Sequence, residues 1–258
     1  MSEKNRDGKR NARERLAVER EKQKAADKRR RALIVGASVI CVLGLAAVIG
    51  VVAANSGKDK KSDTSGPVVS PSGATGKDAL AIPVGKDGAK STLTVWEDFR
   101  CPACQAFETA YRPTIQELTD AGKLRVEYHL VTLIDGNMGG SGSLKAANAA
   151  ACAQDAGKFR AYHDVLYENQ PKETDDAFAD NAKLIELAGK VDGLDTPAFR
   201  ACVNDGTHDA WVRKSNAAFQ AGGFSGTPTV LLGGKNIYAD QSMTPAKLKQ
   251  MVEEANKG

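Results

Sequence analysis

The sequence predicts an α/β domain that carries a block of helices inserted between its strands and is preceded by one membrane-spanning helix. Three observations support this architecture. An uncharged, mostly apolar run at residues 32–54 follows a basic head. From residue 79 onward, short β-branched runs alternate with helical patterns. A Cys-Pro-Ala-Cys motif, residues 101–104, stands where one apolar run gives way to a helical pattern.

Charge divides the chain into unequal parts. Residues 1–31 carry 13 Lys and Arg against 6 Asp and Glu, a net +7, and the remainder carries a net −3. The overall charge of +4 therefore comes from the head, and the folded part has no basic footprint for nucleic acid. We interpret residues 1–31 as a basic cytoplasmic head.

The apolar run from Ala32 to Ala54 is long enough to cross a membrane. As a helix it would extend about 34 Å, which exceeds the thickness of a bilayer core. The positive-inside rule places residues 1–31 in the cytoplasm and everything after Ala54 outside, so we expect a single-pass protein of the cell membrane. A cleaved signal peptide is the alternative, although its apolar part is usually only about 7 to 15 residues long.

The folded domain is expected over residues 79–258, after a flexible linker at 55–78 that is rich in Gly, Ser, Lys, Asp and Pro. Pro113 lies within the first predicted helix and is expected to kink it. The elements predicted for the first part of the domain are strands at 80–84 and 92–99, a helix from the Cys-Pro-Ala-Cys motif to about 120, and a strand at 124–130.

Helical spacing without a convincing strand continues over about residues 136–224 and predicts a helical insertion. A β-hairpin that turns at Gly233-Gly234 and a final helix from Thr244 to about Ala255 complete the domain. The helices predicted within the insertion are 144–154, 159–169, 177–190, 197–203 and 209–221.

The pair Cys101 and Cys104 indicates redox chemistry. Two thiols three positions apart share the first turn of a helix, where they can close a small disulfide. The positive end of the helix favours a thiolate on Cys101, and Pro102 suits the first helical position. Half of a zinc site and an inert cross-link are the alternatives. Zinc normally takes four close ligands, which nothing else in the sequence supplies at the right spacing, so we predict no metal.

Three further cysteines have other interpretations. Cys41 lies in the apolar run and is interpreted as a small apolar residue. Cys152 and Cys202 fall in the helical insertion, and on the oxidising side of a membrane they predict a structural disulfide. Two buried free thiols are the alternative.

Several neighbouring residues are candidates for the same site. Glu97 and Asp98 directly precede it, and either could relay a proton to Cys104 if it were buried, whereas a solvated carboxylate is the alternative. Pro228, at a strand start, suggests a cis bond to Thr227 that faces the disulfide and leaves the Thr227 backbone free to pair with an extended peptide. The three histidines, 129, 163 and 208, are interpreted as surface or packing residues.

With "EDFRCPACQAF" at a strand-to-helix junction, the helical insertion, and "SGTPTVLLGG" near the C-terminus, residues 79–258 resemble the DsbA-like branch of the thioredoxin superfamily. Membrane-anchored members with a basic head are typical of actinobacteria. The resemblance implies a thioredoxin-like fold, Cys101 as the exposed sulfur, Cys104 as its resolving partner, and Pro228 in cis. It also agrees with a second disulfide within the insertion.

Two positions depart from the family pattern. Ala103 stands where DsbA has a histidine that stabilises the thiolate, and Val95 stands where many thioredoxin-like chains have a buried acid. Because the missing histidine makes the reduced form less favoured, we expect the protein to be a weaker oxidant. The sequence therefore leaves the direction of electron flow undecided.

The expected function is an extracytoplasmic thiol:disulfide oxidoreductase that oxidises the thiols of secreted, folding proteins through a Cys101–Cys104 disulfide and needs no cofactor. A membrane oxidase of the DsbB or vitamin-K-epoxide-reductase kind would reoxidise it. The alternatives are a disulfide reductase or isomerase, and a non-enzymatic, chaperone-like domain that binds peptides.

Overall fold

The computed structural model describes residues 67–240 and 242–257. The predicted cytoplasmic head, the predicted membrane span and the linker up to residue 66 lie outside these residues. Within the described part of the chain, none of the helices combines the length and the apolar character that a membrane span requires.

A five-stranded sheet forms the centre of the domain, in the strand order β1-β3-β2-β4-β5. The two central strands, β2 and β3, are parallel, and each remaining pair is antiparallel. A parallel pair needs a crossover, which the first long helix provides. The strands are β1 (Ile82–Val84), β2 (Ser91–Glu97), β3 (Leu124–Leu130), β4 (Thr229–Leu232) and β5 (Lys235–Asn236).

Helix α1, Pro102–Asp120, connects β2 to β3 and continues through Pro113. The final helix, α8 (Pro245–Ala255), packs against α1. Between β3 and β4 lies the predicted helical insertion, which we call the helical block. Its helices are α2 (Leu133–Met138), α3 (Gly142–Asp155), α4 (Phe159–Glu168), α5 (Asn181–Ala188), α6 (Pro197–Asp205) and α7 (Asp209–Ala221).

Two details of the helical block differ from the sequence prediction. Helix α2 was missed because it spans only six residues and contains Gly136, a poor helix former. The helix predicted over 177–190 is divided into a 3₁₀ turn at Ala177–Ala179 and α5. The division occurs at Asp180, whose side chain caps α5 by accepting the Ala182 N–H.

Helix α3 is the centre of the helical block and lies against α4, α6 and α7. Its buried positions are mostly alanine, from Ala146 to Ala153, which lets the neighbouring helices approach closely. On the sheet, Leu93 and Val95 of β2 are fully buried. Because this core is continuous from sheet to helices, the helical block is part of the same domain.

The folded structure begins earlier than predicted, so the assignment of residues 67–78 to a flexible linker was wrong. The His208 imidazole donates to the Val69 carbonyl over 2.8 Å, and the Ser72 N–H donates to Asp155 over 2.7 Å. Thr75 forms a β-bridge with Ala81. The partners of this segment lie far along the chain in the helical block, where local composition does not reveal them.

A disulfide joins Cys152 of α3 to Cys202 of α6, as the sequence analysis expected. The two residues are 50 positions apart. The bond therefore links the central helix of the helical block to one of the helices that cover it.

Replacing both cysteines, Cys152→Ser with Cys202→Ser, is expected to lower the free energy of unfolding by about 4 kcal/mol, because the closed loop no longer restricts the unfolded chain. Urea unfolding monitored by circular dichroism measures this change. Reduction of the wild-type disulfide should give a similar loss. Equal stability of the oxidised wild type and the double variant would contradict a structural role for the bond.

Candidate active site

The Cys-Pro-Ala-Cys motif lies where the end of β2 meets the start of α1. Cys101 is the N-cap of α1 with an extended backbone, and Pro102 occupies the first helical position, where a missing N–H costs nothing. The Cys104 and Gln105 amides donate to the Cys101 carbonyl and close the first turn. Cys101 is 6% exposed and Cys104 is fully buried. Both are free thiols, so the structure shows the reduced site.

The loop before β4 faces Cys101. Its Thr227-Pro228 peptide bond is cis, as expected from the sequence. The Cys101 thiol donates to the Thr227 carbonyl over 3.3 Å. Among the described residues, the Thr227 N–H has no hydrogen-bond acceptor. The structure therefore brings residues 101 and 227, which are 126 positions apart, into direct contact.

The surroundings favour the thiolate of Cys101 and the protonated thiol of Cys104. A hydrogen bond from the Cys104 thiol lowers the pKa of Cys101 to about 6 against the opposing effect of burial, helped by the Thr227 side chain and by the amides of Cys104 and Ala103. Burial, followed by the hydrogen bond and charge of Cys101, raises the pKa of Cys104 well above its usual value. The helix start thus contributes, as expected, but the Cys104 thiol is the larger cause.

Asp98 is buried, and its carboxylate accepts hydrogen bonds from the backbone. Its two carboxylate oxygens accept the N–H groups of Arg100 and Ile134, each over 2.8 Å. Burial raises the pKa of Asp98 to about 7, while these two hydrogen bonds act in the opposite direction. Its carboxylate therefore holds the turn before Cys101 against the start of α2.

Glu97 is also fully buried, but its surroundings are different. One of its oxygens, Oε1, lies 2.7 Å from Nε2 of His163 on α4. Glu108 of α1 completes a buried cluster, because ligand atoms of the three side chains all lie within 4.8 Å of one another. The charge of Glu97 contributes to the raised pKa of Cys104. Glu97 is therefore electrostatically coupled to the buried thiol.

Arg100 connects the active-site turn to the helical block. Its guanidinium lies 2.7 Å from Asp135 and 2.9 Å from Asp176, and its side chain is almost completely buried. It also donates to the Gly139 and Glu173 carbonyls. Asp135 in turn accepts amides at the start of α3. The turn and the helical block are thus held in one fixed arrangement.

The helical block contributes further contacts on the other side of the motif. Gln170, just after α4, donates to the carbonyls of Phe99 and Cys101 over 2.9 and 3.0 Å. Gln105, which follows the motif, donates to the Tyr167 carbonyl over 2.8 Å. Gln170 thus binds the backbone carbonyls on both sides of Arg100, and Gln105 ties α1 to the end of α4.

A cavity of about 370 Å³ borders the loop that faces Cys101. Its walls include the segment 223–229, which contains Thr227 and Pro228. Asn236, Tyr238 and Ala239 complete its lining. The open Thr227 amide therefore lies beside a concave surface that an extended chain could enter.

Comparison with known proteins places this site in a family. The family model described as Thioredoxin matches residues 78–254, well over half of the chain. The chain belongs to this thioredoxin family. The dithiol at the start of α1 and the cis Thr227-Pro228 bond are the features that the resemblance to the family implied.

Individual proteins similar to this chain indicate which kind of thioredoxin-like protein it is. The chain is 27% identical over 172 residues to the probable disulfide bond formation protein D of Bacillus cereus, covering 65% of this chain and 77% of that protein. It is 30% identical to the reduced form of the disulfide bond oxidoreductase DsbG from Mycobacterium tuberculosis, with a TM-score of 0.61 over 72% of this chain and 90% of that one. Reduced DsbA from M. tuberculosis is 29% identical, with a TM-score of 0.60 over 69% and 93%. These similarities identify a DsbA-like thiol–disulfide oxidoreductase.

Sequence reasoning missed two members of the site. Glu108 lies four residues after Cys104 on the same face of α1, a spacing that could have revealed it. His163 lies on a helix among buried aromatic residues. Of the two interpretations of the histidines, surface or packing residues, burial of all three favours packing, but it does not reveal the role of His163. No local pattern predicts that His163 pairs with a carboxylate 66 positions away.

The reduced protein should show one thiol that titrates near pH 6, that of Cys101, because its thiolate accepts the Cys104 hydrogen bond. The pH dependence of alkylation by iodoacetamide measures this titration. Cys104→Ala removes the donor and is expected to raise the Cys101 pKa. An unchanged midpoint in that variant would contradict the assigned cause.

The same shift predicts how the stability of the reduced protein depends on pH. In the unfolded chain a cysteine titrates near pH 8.5, so between about pH 6 and about pH 8.5 the unfolded state binds more protons. The free energy of unfolding should therefore rise with pH across this window, relative to the oxidised protein. Urea unfolding of both forms at several pH values measures the difference, and parallel curves would contradict it.

Proposed function

We propose that this protein is an extracytoplasmic, membrane-anchored oxidase that introduces disulfides into secreted proteins. The observation that carries the direction is the position of the Cys101 sulfur at the start of α1 and against the Thr227 loop, surroundings that lower its pKa to about 6. A stable thiolate favours the reduced form of the dithiol, and a dithiol with a favoured reduced form is an oxidant toward other thiols. Ala103 removes a histidine from the motif, yet Cys104, Thr227 and the helix amides still favour the thiolate.

The reaction proceeds in two steps from the oxidised Cys101–Cys104 disulfide. A substrate thiolate attacks Cys101, a mixed disulfide forms, and Cys104 leaves as a thiolate that takes up a proton. A second thiolate of the same substrate then attacks the substrate sulfur that is bonded to Cys101. A disulfide forms within the substrate, and Cys101 leaves as a thiolate. Counted from two substrate thiols, the substrate loses two electrons and two protons. One proton ends on Cys104 and the other goes to solvent, so the enzyme is left with a Cys101 thiolate and a Cys104 thiol. Cys101 suits this leaving role because its pKa is low.

Of the two acids before the motif, Glu97 is the better candidate for proton transfer with Cys104. Both oxygens of Asp98 are occupied by backbone amides. Oε2 of Glu97 is buried and has no hydrogen-bond partner among the described residues, so it has a free lone pair. The charge of Glu97 acts on the Cys104 thiol, and we therefore propose this carboxylate as the general base.

Substrates would dock beside the Thr227-Pro228 loop. An extended peptide could accept the open Thr227 N–H with its main chain, in the manner of an added strand. The adjoining cavity would then receive a side chain next to the reacting cysteine. Main-chain recognition of this kind does not depend on sequence, which suits an enzyme that acts on many unfolded or folding secreted proteins.

The N-terminal sequence supports the location in the cell. The basic residues 1–31 before the apolar run 32–54 favour a cytoplasmic head and an exported catalytic domain. A dithiol that oxidises substrates must itself be reoxidised. We therefore propose a membrane oxidase of the DsbB or vitamin-K-epoxide-reductase kind as its partner.

Reduction or isomerisation of disulfides is the second candidate function. Ala103 favours it, because this position offers no side-chain donor to the Cys101 thiolate. In this direction the Cys101 thiolate would attack a substrate disulfide, and Cys104 would release the reduced substrate.

The reduction potential of the Cys101/Cys104 pair separates the two directions. Equilibration with glutathione redox buffers should give a value clearly above the roughly −270 mV of thioredoxin, because the thiolate stabilises the reduced form. The purified protein should also oxidise a reduced, unfolded secreted protein, and Cys101→Ser should abolish this activity. A potential near that of thioredoxin would contradict the oxidase assignment, and activity retained by Cys101→Ser would exclude the dithiol altogether.

A further inference from the structure

His163 has no role in the reaction described so far, although it lies next to the site. It is buried on α4, and its Nε2 is 2.7 Å from Oε1 of Glu97. Its other nitrogen, Nδ1, is 3.5 Å from Asp164, which is partly exposed. The imidazole thus stands between a fully buried carboxylate and one that reaches solvent.

Glu97 needs such a partner if it is to act as a base. A carboxylate in an apolar interior binds a proton unless a cation or several hydrogen bonds compensate its charge. Among the described residues, His163 is the hydrogen-bond partner of the Glu97 side chain. The rest of its carboxylate, Oε2, is buried and unpaired.

The surroundings of His163 favour its charged form. Burial opposes the charge, but the carboxylates of Glu97 and Glu108 outweigh it and raise the pKa of His163 to about 10. Burial also raises the pKa of Glu108, to about 8, while the charge of His163 acts in the opposite direction. The ionisable groups that face the imidazole or its carboxylate partners are Glu97, Glu108, Arg112, Tyr128, Arg160, Asp164 and Tyr167.

We propose that His163 is a positioning residue whose imidazolium keeps Glu97 ionised, so that Glu97 can accept the proton of Cys104. This inference rests on the proposed dithiol chemistry. It holds for either direction of electron flow, because Cys104 gains a proton when the disulfide opens and loses one when the disulfide closes.

In the step that forms the Cys101–Cys104 disulfide, Glu97 takes up the proton that Cys104 loses. Cys101 begins in a mixed disulfide with a partner thiol, and Cys104 is a thiol. The Cys104 proton passes to Oε2 of Glu97, and the Cys104 thiolate attacks the sulfur of Cys101. The Cys101–Cys104 bond forms, the bond to the partner breaks, and the partner leaves as a thiolate. When the disulfide opens, Glu97 returns the proton to Cys104.

Single-turnover reoxidation of the reduced, full-length protein by oxidised glutathione isolates this step. At high glutathione concentration the rate becomes independent of concentration and reports the attack of Cys104 within the mixed disulfide. Acid quenching and alkylation of the remaining thiols give this plateau rate between about pH 5 and pH 10. The variants are Glu97→Gln, His163→Gln and, as a matched control, His129→Gln, which replaces a buried histidine that stacks on Trp96 instead.

Glu97→Gln is expected to lower the plateau rate by about a hundredfold near pH 7, the usual contribution of a general base. His163→Gln should lower it by about tenfold or more near pH 7, because the buried carboxylate of Glu97 then lacks its cationic partner, and the loss should become smaller as the pH is raised. Glu97→Gln should recover less, because the rise caused by ionisation of Cys104 alone is common to both variants. His129→Gln should follow the wild type.

A His163→Gln rate that matches the control at every pH would overturn the proposal, and so would a loss that does not become smaller at high pH, since that indicates only a structural role. If His163→Gln does not fold, ¹⁵N NMR of histidines in the wild-type protein decides: a neutral His163 near pH 7 overturns the proposal, and an imidazolium bound to a carboxylate supports it. A wild-type protein that forms no Cys101–Cys104 disulfide under these conditions would instead contradict the proposed function.

Discussion

The geometry of the site depends on the buried contact of Arg100 with Asp135 and Asp176. Arg100 directly precedes Cys101, whereas its partners belong to the helical block, so the contact ties the reacting turn to that block. A buried ion pair of this kind gains little net stability over apolar packing, but removing one partner leaves a costly uncompensated charge. Its contribution is therefore a defined position for the turn, to which Asp98 adds a bond from the Ile134 amide.

Once the turn is in place, the difference between the two thiols follows from their surroundings. Cys101 lies at a helix start and against the Thr227 loop, where donors favour its thiolate. Cys104 is fully buried in the first turn of α1 and feels the charge of Glu97, so its proton is held tightly. One sulfur is prepared to leave or attack at neutral pH, and the other needs a base.

The helical block supplies what a small thioredoxin domain would have to leave to solvent. It buries the backbone next to Cys101 through Gln170, and it places His163 against Glu97. Glu97 lies two residues beyond Val95 on the same face of β2, so a buried acid is present, displaced along the strand from the position where many family members have it. The block thus acts as part of the active site.

The sequence by itself determined the order of strands and helices, the dithiol, the Cys152–Cys202 pair and the Thr227-Pro228 loop, because periodicity, cap residues and cysteine spacing are local signals. It left Glu97 and Asp98 equivalent, since both precede the motif. Only the tertiary structure distinguished them, by giving Asp98 two backbone amides and Glu97 an imidazole. It also decided the place of His163 and the start of the fold near Val69, because burial and long-range pairing depend on residues that are far apart in the chain.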